Sequence, residues 1–135
     1  MNKLKKIAAA LAAAATVSAL GVGAFAAYTD NYFFFDLNGK GDSTWSAKAE
    51  KEDNEDYAKL YTTGGYVSSS SPIYVSIYKE KTLTSSNQLS KSVTITSPSD
   101  EYTLTYTTPR GIGSYCYLHA NCGYNGAEVA GYWRP

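Results

Sequence analysis

The chain has 135 residues, with twelve basic and twelve acidic side chains, one histidine and two cysteines. A length of this order supports one domain with one modest core, and the balanced charge gives no electrostatic footprint for nucleic acid or an anionic membrane surface. A lone histidine leaves little material for imidazole catalysis or a His-rich metal centre.

In chain order, the first feature is an export signature. Lys3, Lys5 and Lys6 precede an uncharged, Ala-rich run from Ile7 to Phe25. The run closes on Ala24-Phe25-Ala26, the small-x-small pattern that signal peptidase accepts. The expectation is a cleaved signal peptide over residues 1–26 and a secreted single domain over residues 27–135. An uncleaved anchor is disfavoured, because Ala and Gly add little hydrophobicity per residue. Without the signal, nine basic residues stand against twelve acidic ones, a formal charge of −3.

The remaining chain is rich in Tyr, Thr, Ser and Val, residue types that fit a pleated, half-buried surface. Tyr32 to Leu37 reads as a strand with Phe33, Phe35 and Leu37 on one face, stopped by the turn residues Asn38 to Asp42. Thr44 to Thr62 has helix-like composition but alternates. It is expected to form a hairpin with Trp45, Ala47 and Ala49 on one arm, a solvated acidic tip from Glu50 to Asp56, and Ala58 and Leu60 inward on the other. Ile73, Val75 and Ile77 point one way in the next strand, and Tyr74 and Tyr78 the other. Ser92 to Thr96 and Glu101 to Thr107 are expected to pair as a hairpin across Ser97-Pro98-Ser99-Asp100. Ser114 to Ala120 alternates Tyr115, Tyr117 and His119 with Cys116, Leu118 and Ala120. A turn over Asn121 to Gly126 then leads into a last strand carrying Val129 and Trp133. The fold class is therefore all-β, a small antiparallel β-sandwich of seven or eight strands, with barrel-like closure as the alternative.

Little in this pattern carries catalysis. Cys116, His119 and Cys122 spell C-x-x-H-x-x-C, but no other Cys or His completes a zinc set. An exported chain favours a Cys116–Cys122 disulfide instead. Asp36 to Asp42 resembles the start of a calcium loop, yet Lys40 and Ala47 stand where oxygen ligands belong, so the segment reads as a turn. Phosphate-binding loops, a nucleophile elbow and a dinucleotide fingerprint are missing from the sequence. A non-enzymatic protein without metal or cofactor is expected.

The remaining signal is aromatic. Thirteen tyrosines and two tryptophans fall after residue 26, and Tyr74, Tyr78, Tyr115, Tyr117, Tyr132 and Trp133 form the candidate binding face. Such side chains offer large contact area at low entropy cost, suited to sugar rings or a protein partner. Cross-strand tyrosine pairs that merely stabilise a sheet are the competing explanation.

The ending Val129-Ala130-Gly131-Tyr132-Trp133-Arg134-Pro135 resembles the V-x-G-x-W-x-P terminus of a group of uncharacterised small exported proteins of Gram-positive bacteria. Those proteins share a signal peptide, a Y-x-F-x-L-type first strand as at Tyr32 to Leu37, and a polar hairpin. They are similar in size and style to the lactococcin-type bacteriocins, although this chain is more acidic and has a cysteine pair. The resemblance implies an exported β-protein and supplies no activity. The expected function is binding of a cell-surface glycan or an extracellular protein, with a bacteriocin-like toxin as the alternative. Nucleic acid and a stable membrane span are not expected partners.

Overall fold

In the computed structural model, residues 29–123 and 125–135 are described; the signal peptide expected over 1–26 lies outside them. Alternating side chains become nine strands with no helix among the described residues: β1 (Asn31–Gly39), β2 (Ser43–Trp45), β3 (Ala49–Glu50), β4 (Tyr57–Gly65), β5 (Ile73–Tyr78), β6 (Val93–Ile95), β7 (Glu101–Thr105), β8 (Tyr115–Cys122) and β9 (Asn125–Arg134). They form two antiparallel sheets, ordered β1-β9-β4-β7 and β2-β8-β5-β6, with β3 also paired to β8. This is the β-sandwich class, and neither sheet closes into a barrel.

One continuous core lies between the sheets. Phe33, Phe35 and Leu37 of β1, Leu60 of β4, Leu104 of β7 and Val129 and Trp133 of β9 meet Ile73, Val75, Ile77, Ile95 and Leu118 from the other sheet. Period-two alternation aims every second residue of each strand inward, and burial of these apolar side chains is the main stabilising term.

Two expected hairpins are instead crossings between the sheets. β6 pairs with β5, whereas β7 pairs with β4. The Ser97–Asp100 segment therefore arches over the edge of the sandwich. Thr62 holds it, its hydroxyl donating to Ser97 O at 3.0 Å and accepting from Asp100 N at 2.8 Å. Tyr102 Oη accepts from the Ser97 and Thr96 amides at 3.0 and 3.2 Å. The segment from Thr44 to Thr62 likewise forms no hairpin, because β2 and β3 both pair with β8 while β4 joins the other sheet. Ser46 breaks the first arm in two. Its hydroxyl takes the Leu118 amide at 2.9 Å in place of a backbone carbonyl, and this break raises the strand count to nine.

The acidic segment is more than a solvated tip. Glu50, Glu52, Glu55 and Asp56 are exposed, but Lys51 is fully buried. Its ammonium donates to Asp53 Oδ1 at 2.6 Å and to Pro135 O at 3.3 Å, 5.1 Å from the Tyr106 ring centre. Glu52 accepts from both the amide and the hydroxyl of Thr29 at 2.6 Å, and these bonds hold its carboxyl below the ordinary range. The segment thus ties together the two ends of the described chain.

The expected Cys116–Cys122 disulfide is absent: both are free, buried thiols. They share the core face of one strand six residues apart, a separation of about 20 Å. Disulfide geometry requires Cα atoms within roughly 7 Å. Cys122 Sγ instead donates to Gly39 O at 2.7 Å.

Candidate functional site

Each sheet also has an outer face, and the candidate site is the outer face of β2-β8-β5. The even-numbered residues of β8 enter the core, so Tyr115, Tyr117, His119 and Asn121 project outward in a row about 20 Å long. Register supplies their flanks. Tyr78 lies opposite Tyr117, Ser76 opposite His119 and Tyr74 opposite Asn121 on β5, while Trp45 of β2 lies opposite His119 on the other side.

The centre of the row is a packed aromatic cluster. Trp45 and His119 have ring centres 4.6 Å apart, Trp45 and Tyr78 meet edge to face at 5.3 Å, and Tyr78 and His119 at 5.7 Å. T-shaped pairs such as Trp45–Tyr78 and Tyr78–His119 are each worth about 0.5–1.5 kcal/mol beyond their area burial. Tyr115 is 47 % exposed at one end, with Lys48 Nζ 4.3 Å above its ring centre. Lys81 Nζ lies 5.3 Å from the centre of the Tyr117 ring.

His119 is the polar element inside this cluster. It is only 4 % exposed, and its Nε2 has no hydrogen-bond partner. Burial lowers its pKa below the ordinary histidine value, and the outward residues around it, Trp45, Ser76, Tyr78, Tyr117 and Asn121, include no carboxylate to favour the cation. The imidazole is therefore held neutral. Because the folded pKa is the lower one, the unfolded chain binds the proton more readily. The stability gained is complete above the unfolded value of about 6.5. It is lost as pH falls from there through the folded value. Denaturant titrations between pH 7.5 and 5 are expected to show this decline in the native protein and a flatter profile in His119→Gln (conditions spanning roughly the histidine range). Equal slopes in the two proteins would exclude His119 as the source.

Cys116, His119 and Cys122 do not converge. Odd spacing sends the histidine outward and both thiols inward. Among the described residues, no His/Cys/Asp/Glu cluster is arranged for a metal ion. Cys116 lies against Tyr106, and burial pushes its thiol up to about 11, leaving it protonated at neutral pH. Asp42 closes the β1–β2 turn, accepting from Asn38 N at 2.8 Å and Ser43 N at 2.9 Å, bonds that lower its pKa.

Of the six aromatic residues singled out from the sequence, Tyr74, Tyr78, Tyr115 and Tyr117 share this outer face, with Tyr78 itself 8 % exposed. Tyr132 faces outward from the other sheet, edge to face with Tyr32 at 5.7 Å. Trp133 is completely buried in the core and belongs to neither outer face. Trp45 and His119 complete the face and lie outside the six aromatic candidates. The alternation through Tyr115, Tyr117 and His119 carried the signal for His119. A shallow surface depression elsewhere is lined by Thr29, Glu50, Glu52, Asp53, Arg134 and Pro135 and has no aromatic floor.

Comparison with protein-family models, with curated proteins and with solved structures gives no match for this chain.

Proposed function

We propose that the protein is an exported, non-catalytic domain that binds cell-surface material through the outer face of β2-β8-β5. The observation that supports this reading is the packed ring cluster of Trp45, Tyr78 and His119, extended along β8 by Tyr117 and the exposed Tyr115. Tyr115 is exposed and Trp45 and Tyr117 are half-buried, so these three offer ring surface for CH–π stacking against sugar rings, with the buried Tyr78 and His119 packed against them as support and Asn121 as a polar neighbour. Pre-packing lowers the entropy cost of immobilising these side chains on binding.

The test is retention of purified protein on isolated bacterial cell walls. Trp45→Ala and Tyr117→Ala are expected to reduce the affinity roughly tenfold or more, the effect of truncating a central aromatic anchor. Tyr132→Ala, on the opposite sheet, is expected to leave it unchanged. If Tyr132→Ala were the variant that released the protein, the binding face would move to the other sheet. Unchanged retention in all three would remove the reading altogether.

A further inference from the structure

Resting on that reading, we infer that the stripe takes an anionic linear glycan, one whose sugar rings carry carboxylate or phosphate groups. Charge placement carries the inference. Lys51, Lys59 and Arg134 are each paired with a carboxylate, respectively Asp53, Glu101 and Asp30. Lys48 and Lys81 have no such partner among the described residues. Both are exposed, and both stand over stripe rings, those of Tyr115 and Tyr117.

Those two rings are two residues apart on one strand, about 7 Å, and the lysines reach them from opposite sides of β8, Lys48 from the segment between β2 and β3 and Lys81 from the segment after β5. The outward positions of β2, β5, β6 and β8 contribute no carboxylate, and Glu50, opposite Tyr115, stands at the end of the row. The two cations thus stand over the rings themselves, with Glu50 at the end of the row and Glu80 next to Lys81 in the chain, on a protein with no net positive charge. Alternating rings and sparse cations match a polymer that offers apolar sugar faces and occasional negative groups. Nucleic acid fits less well. It presents a charge at every residue, and proteins that bind it neutralise several phosphates with Lys and Arg.

The experiment measures binding of the full protein to polygalacturonate and to its fully methyl-esterified form, which keeps the sugar backbone and removes the charge. The acid form is expected to bind roughly tenfold more tightly, the combined effect of two surface ion pairs. The preference is expected to weaken as ionic strength rises and to vanish in the Lys48→Gln, Lys81→Gln double variant. Both lysines are exposed, so that variant is expected to keep the native melting temperature.

Equal affinity for the two polymers, or an acid preference that survives the double variant, would overturn the inference and leave the ring platform standing. Failure of both polymers to bind, with cell-wall retention still lost in Trp45→Ala, would overturn the inference alone; failure of both polymers and of the walls would overturn the platform reading as well. Tighter binding of single-stranded DNA than of polygalacturonate would replace the glycan with nucleic acid.

Discussion

Replacing Trp133 by alanine is expected to lower the free energy of unfolding by about 3–5 kcal/mol, the range for removing a large aromatic from a packed core. The indole is completely buried on β9, which lies between β1 and β4, with Leu60 directly opposite. Nothing nearby can follow a collapsing ring without breaking a sheet pair. In a domain of this size each kcal/mol moves the melting temperature by roughly 4–8 °C, so the loss is large by either heat or urea. Trp133→Phe is expected to cost far less. The indole Nε1 is buried without an acceptor, and an unsatisfied buried donor carries a penalty of about 1–3 kcal/mol. Phenylalanine gives up volume but sheds that donor. Urea titration of the two variants checks both numbers. An alanine variant within about 1 kcal/mol of the native protein would contradict the burial argument.

The same strand explains why the terminal pattern is conspicuous in the sequence. Val129, Gly131, Trp133 and Pro135 are every second residue of one run, and all four are buried. The intervening residues are Ala130, Tyr132 and Arg134, and of these Tyr132 and Arg134 remain partly accessible. The V-x-G-x-W-x-P pattern is thus a packing signature of a central strand. A shared packing signature speaks to fold, while function rests with residues on the outer faces.

Facing was legible in the sequence wherever a strand alternates cleanly. Phe33, Phe35 and Leu37, or Ile73, Val75 and Ile77, could be assigned inward from parity alone. Pairing was not legible, because alternation says which way a side chain points and nothing about which strand lies beside it. The loop at Ser97–Asp100 carries ordinary turn residues, and only Thr62 and Tyr102, distant in sequence or across the arch, make it a crossing. Lys51 is similar: its run of charged neighbours reads as solvated surface, and its burial depends on Pro135 and Tyr106 arriving from elsewhere. The alternation that groups Trp45 with Ala47 and Ala49 in the sequence ends at Ser46, where the hydroxyl accepts from the Leu118 amide. The cysteine error had the opposite origin. β8 continues to Cys122 instead of ending before Asn121, and that extra length keeps the two thiols apart.

Gly131→Ala is expected to be the other severe substitution. A Cβ at this position would lie 1.9 Å from the carbonyl oxygen of Tyr61 and 2.8 Å from Phe33 Cζ. The ring contact could relax by a small rotation, whereas the carbonyl cannot move freely. Tyr61 sits in β4, which pairs with β9 on one side and β7 on the other. The β4–β9 register also shifts between Thr62 and Gly64, immediately beside the contact, as expected of a bulge that brings one backbone in close. Overpacking commonly costs 1–3 kcal/mol, and a clash with backbone belongs at or above the upper end, about 3 kcal/mol. Gly41→Ala is the matched control. Gly41 has φ +83° but open space around its Cβ position, so its cost is the left-handed backbone penalty alone, about 1–2 kcal/mol. Urea titration is expected to rank Gly131→Ala well below Gly41→Ala in stability, and adding Phe33→Leu to the former is expected to rescue little. Substantial rescue would shift the origin of the strain from the Tyr61 carbonyl to the ring. Gly131 belongs to the sheet opposite the Trp45–Tyr117 face, so whatever fraction of the variant folds is expected to keep native affinity for its ligand, separating loss of fold from loss of site.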